Sequence, residues 1–179
     1  MKLESVDETY PFMIELFAQK PETFSLPKDA GLTRIPVEED VVSLSAILLE
    51  EGYYEALQGA KIDMDGVTII DEKLLIPFKA RAFLDLSERK EQGDKIDSRS
   101  IKKHRNDVFR LAQLLPRDSM IEMPASIQED MRHFLDLAEA DKTLKPKDFD
   151  VQMTREEGVA LLRSVYLVSS KTSGGKKAD

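Results

Sequence analysis

The strongest constraint on the fold lies in residues 74–115, two helix-periodic stretches separated by a short polar break. Stepping by about 100° per residue, Leu75, Phe78, Ala82, Phe83 and Leu86 form an apolar arc, and Lys79 falls inside it. In the second stretch Ile101, Val108, Phe109, Leu111, Ala112 and Leu115 form the arc, with His104 inside it and Asp107 at its edge. A charged residue on an apolar arc demands a reason, so Lys79, His104 and Asp107 are the first places to look for chemistry.

A chain of 179 residues is long enough to bury a substantial core. Its formal charge of -8 opposes broad attraction to nucleic acid or an anionic membrane, so any basic site must be local. The absence of cysteine excludes a disulfide framework, a thiolate metal site and a cysteine nucleophile. Acids occupy the N-terminal stretch where a signal peptide would be apolar, and no apolar run reaches membrane-spanning length. These features predict a cytoplasmic protein without a membrane segment.

Alternating apolar residues predict a strand over 10–18, with Glu15 as its odd member. Pro21, Pro27 and Gly31 mark a loop over 20–31, and a short strand follows near 32–37. Residues 41–44 can extend the sheet, whereas Leu44, Ile47, Leu48 and Leu57 fit a helix that stops at Gly59. Asp65-Gly66 between β-prone runs predicts a hairpin over 61–70.

Beyond the two central stretches, a helix starting at Pro124 would bury Ile127, Met131, Phe134, Leu135 and Ala138. A Pro146-containing loop over 143–150 precedes a last helix from Thr154 through Leu167, opened by a capping box with Glu157. Strands first and helices afterwards predict an α+β architecture: a small N-terminal mixed sheet over 1–72, a C-terminal helical bundle over 73–168 and a disordered tail over 169–179. Three or four short strands make a thin sheet, one that a further segment or a partner chain would complete.

Lys79 admits two readings. Its stem can pack on the apolar face while the ammonium reaches solvent, or the ammonium can sit in a cleft and meet a phosphate. Asp107 is either a salt-bridged surface carboxylate, one turn from Lys103 and Arg110, or a site residue paired with Lys79 across the helices. His104 fits a core histidine better than a ligand; His133 lies on another helix, and no zinc pattern is present. Lys102, Lys103, His104 and Arg105, flanked by Arg99 and Arg110, form the densest basic run, either a solvated face or a set of phosphate contacts. Asp63 and Asp65 have the spacing of a metal-binding pair but read better as a turn. Asp148 and Asp150 share that spacing in a loop, and no phosphate-cradling glycine loop occurs.

The sequence Leu-Ile-Pro-Phe-Lys-Ala-Arg-Ala-Phe-Leu-Asp-Leu, followed by Asp-Ser-Arg-Ser-Ile-Lys-Lys-His-Arg-Asn-Asp-Val-Phe-Arg-Leu, resembles the post-catalytic region of nucleotidyltransferase-like proteins related to the abortive-infection AbiE toxin. The resemblance covers roughly residues 10–115. It implies a small mixed sheet carrying three carboxylates, a helical portion, and magnesium-dependent transfer of a nucleotide from a nucleoside triphosphate. Lys79 corresponds to the family's lysine of the first helix and Asp107 to the aspartate of the next; Ile14-Glu15-Leu16 matches the strand bearing the third carboxylate. The Gly-Ser turn that opens the family's Asp-x-Asp strand occurs nowhere in this sequence.

The resemblance therefore implies Glu15 as a magnesium ligand, Lys79 as the triphosphate contact, Asp107 as a catalytic carboxylate, and Lys103 and Arg105 as secondary phosphate contacts. It also implies a fold lacking the first strands and incomplete as a catalyst by itself, with Lys79 and Asp107 converging on the Glu15 strand. The competing expectation is a noncatalytic helical interaction or regulatory module that docks a protein partner or its own copy, its charged residues serving as interhelical ion pairs. An RNA-binding helical surface over 102–110 is the third expectation, opposed by the acidic total.

Overall fold

The short apolar runs near the N-terminus become β1 (Ile14–Gln19), β2 (Leu32–Arg34) and β3 (Leu44–Leu49). The computed structural model describes residues 14–19, 32–34 and 44–167, with side chains described for 18, 19 and 49–167. The strand expected over 10–13, the loop over 20–31, the sheet residues over 35–43 and the tail over 169–179 lie outside the described residues. The chain divides into two units, Met1–Gln58 and Gly59–Asp179.

In the first unit β3 is the middle strand, parallel to β1 and antiparallel to β2. Glu15 is the second residue of β1, opposite Ser45. The sheet is therefore mixed, as expected. Leu44, Ile47 and Leu48, whose spacing fits a helix, belong instead to β3, so the helical reading is corrected there. The helix begins only after Glu50 as α1 (Glu51–Gly59), ending at the expected glycine. Glu51 in its first turn suits the positive end of the helix dipole, and Tyr53 and Leu57, four residues apart, form its buried stripe.

The second unit opens with the predicted hairpin, β4 (Ile62–Met64) and β5 (Val67–Ile69). Asp65 and Gly66 have φ of 53° and 81°, the left-handed pair that a two-residue hairpin turn requires. The Gly66 N–H donates to the Asp63 carboxylate at 3.2 Å, which gives that acid a turn role.

The helices follow as α2 (Glu72–Glu91), α3 (Ser98–Ala112), α4 (Ala125–Ala140) and α5 (Arg155–Tyr166). Asp71 and Asp97 start α2 and α3 by accepting backbone N–H groups of Leu74 and Arg99. α2 packs on α3 and α4, α4 on α5, and α3 on α5 and on a 3-10 turn at Pro146–Phe149. The architecture is α+β with a helical C-terminal portion.

The expected apolar arc of α2 needs correction. Leu74, Ile76, Pro77, Ala80 and Leu84 are the buried residues, whereas Leu75, Phe78, Ala82, Phe83 and Leu86 are only half-buried. The first turns of α2 are apolar on nearly every side, so periodicity did not select a face; contact with two neighbouring helices did. In α4 every expected core position is buried, because those five positions share one face; Leu137 lies off it and is exposed.

Pro77 lies inside α2 and has no N–H to give the carbonyl four residues back. That carbonyl belongs to Lys73, and the Tyr166 hydroxyl at the end of α5 donates to it at 2.8 Å. Burial, reinforced by Asp71 and Glu72, pushes the ionisation of this phenol far up, which keeps it a donor. Tyr166→Phe should therefore cost about 1–3 kcal/mol by stranding the carbonyl. Urea denaturation followed by circular dichroism measures this, and an unchanged midpoint would show that solvent replaces the bond.

Candidate functional site

Helices α2 and α3 bring two of the sequence-selected residues together. Lys79 Nζ lies 3.7 Å from Asp107 Oδ2, with side chains 27% and 18% exposed. The ammonium thus reaches the surface, but against a carboxylate of the next helix. A partly exposed pair of this kind contributes at most about 1 kcal/mol, so its significance is the placement of charge more than stability.

Asp107 has a second cation. Arg110 Nη1 donates to its Oδ1 at 3.0 Å, one helical turn along α3. Arg110 is itself held from outside the helix: its Nε donates to the Phe149 carbonyl at 3.3 Å, and its guanidinium lies 5.6 Å from the centre of the Phe149 ring. The two oxygens of Asp107 thus serve two different cations.

The other candidates part company. Lys103 is exposed on α3, one turn before Asp107. Arg105 is committed elsewhere, with Nη1 2.6 Å from Asp141 Oδ2 and only 14% of its side chain exposed. Burial raises the Asp141 carboxyl, but the Thr143 hydroxyl and amide together with Arg105 outweigh it and hold that carboxyl below its ordinary range. Arg155 adds a bond to the Asp141 carbonyl. Arg105 thereby ties α3 to the end of α4. His104 is half-buried on α3, and Glu15 belongs to the other unit.

A carboxylate flanked by two cations is poorly suited to a magnesium ion, which takes several hard oxygen ligands in near-octahedral order. Among the described residues no three carboxylate or histidine side chains gather as a metal site. A groove of about 630 Å³ between the end of α3 and α5 is lined by Leu115, Arg117, Met153 and Leu161, among others, and neither Lys79 nor Asp107 borders it. No helix among the described residues is long and apolar enough to cross a membrane.

Sequence reasoning missed the hold on Arg110. The spacing of Asp107 and Arg110 was legible as a helical pair, but nothing in the sequence pointed to the Phe149 carbonyl. Fold and site together define an α+β protein whose helical unit displays a lysine–aspartate–arginine cluster. No protein-family model, curated protein or solved structure matches the chain.

Proposed function

We propose that this protein is nucleotidyltransferase-like and that Lys79 is its contact to the phosphates of a nucleoside triphosphate. The observation that carries the reading is the meeting of Lys79 and Asp107 from successive helices at 3.7 Å, partly open to solvent. The resemblance implies a lysine and an aspartate in those two helices. An ammonium acts on phosphate as a point charge and needs no fixed fork, so a partly exposed lysine suits the role, and exposed Lys103 is placed to assist.

Magnesium enters through the resemblance, with Glu15 as its ligand. The described side chains of the helical unit do not fit that ion, and no chemical step is assigned to it. The chain alone is therefore expected to bind a nucleotide rather than transfer it, and the cytoplasmic setting suits such a ligand. Calorimetric titration with each nucleoside triphosphate and magnesium should give saturable binding, weakened about tenfold or more in Lys79→Ala by loss of a charge-assisted contact. Absent binding, or binding unchanged in the variant, would sink the assignment.

A second reading, a noncatalytic module docking a protein partner or its own copy, is favoured by one observation. Arg105 of α3 is paired with Asp141 at the end of α4, and Asp107 of α3 with Lys79 of α2, the pattern of ion pairs that join helices. Silent nucleotide titrations, together with a mass that rises with concentration in sedimentation, would decide for self-association.

A further inference from the structure

We infer that Asp107 is a built-in competitor for the Lys79 ammonium, and that Arg110 sets how readily Lys79 is released to an external anion. This rests on the nucleotide reading above and concerns the regulation of the same site.

Three groups form the cluster: one carboxylate and two cations, each cation on its own oxygen, at 3.7 Å for Lys79 and 3.0 Å for Arg110. The cluster therefore carries one surplus positive charge inside an acidic protein, and exposed Lys103 lies one turn away. The cations are held unequally. Arg110 is fixed by the Phe149 carbonyl and ring, whereas Lys79 has the longer contact and a flexible stem.

When a phosphate draws Lys79 away, Asp107 keeps a counter-ion, so the departure leaves no stranded carboxylate. Without Arg110, Asp107 would depend on Lys79 alone and hold it back. The carboxylate thus lowers anion affinity at this site, and the arginine limits that effect. The signs are opposite to those expected of an aspartate that helps bind a metal-nucleotide.

The test is calorimetric titration of the full chain with inorganic tripolyphosphate in EDTA, so that no metal contributes. Asp107→Asn, nearly isosteric, should bind about twofold to fivefold more tightly than wild type, and Arg110→Met about threefold more weakly, the range expected for partly exposed ion pairs. Arg110→Lys, which keeps the charge, should recover part of the loss, and thermal melts of each variant check folding. Weaker or unchanged binding in Asp107→Asn, with wild type binding normally, overturns the competitor role and leaves the nucleotide reading standing. Failure of wild type to bind either tripolyphosphate or a magnesium nucleotide overturns both.

Discussion

Phe134→Ala should remove about 3–5 kcal/mol from the stability of the helical unit, the usual cost of deleting a buried aromatic ring. Phe134 is fully buried in α4. Its ring meets Phe83 of α2 edge-on, with centroids 5.4 Å apart, and Phe109 of α3 at 6.4 Å. It therefore sits where three helices converge, and the cavity left by alanine has no single neighbour able to close it. Urea denaturation followed by helical circular dichroism should show a much lower midpoint. Phe134→Leu, which keeps most of the volume, should lose far less. If both variants cost the same, aromatic geometry rather than filled volume dominates at this junction.

The second large effect is expected at Gly158. A Cβ placed there would lie 2.7 and 2.8 Å from two atoms of the Phe109 ring and 3.2 Å from the Met153 sulfur. Methionine can yield, but Phe109 is fully buried and its ring borders Phe134. Gly158→Val should therefore cost about 3 kcal/mol, at the upper end of ordinary overpacking. Gly158→Ala should cost less, because alanine regains about 1 kcal/mol of helix propensity. Combining Gly158→Ala with Phe109→Leu should give a smaller loss than the two single losses added, since the smaller side chain makes room. Simple additivity in that double-mutant cycle would locate the strain elsewhere.

Both effects meet at Phe109, two residues from Asp107 and one from Arg110 along α3. The helix that carries Asp107 and Arg110 outward is anchored on its opposite side by Val108, Phe109 and Ala112. Displacing α3 by overpacking would also move Asp107 relative to Lys79. Stability at Gly158 and anion binding at Lys79 are thus linked through one rigid helix.

Local signals in the sequence decided several elements because their causes are local. Asp65-Gly66 produced the hairpin since both residues tolerate positive φ. The apolar stripe of α4 specified its buried face, and Thr154 with Glu157 formed the reciprocal capping box at the start of α5. Placement of a lysine and an aspartate on successive helices was legible too, from residue order and helical period.

What only the tertiary structure decided depends on contacts between distant residues. The core face of α2 could not be read because its first turns are apolar almost all round, and the helices on both sides chose it. Pro77 announces an unfilled carbonyl at Lys73, but only the fold brings Tyr166 to fill it. Arg105 and Arg110 look alike in a basic run. Packing gives one to Asp141 and the other to Asp107 and Phe149, because a long side chain's partner is fixed by where neighbouring elements dock. Helical period placed Lys79 inside one expected apolar arc and Asp107 at the edge of the other; the docking of α3 against α2 determined that they meet each other at the surface.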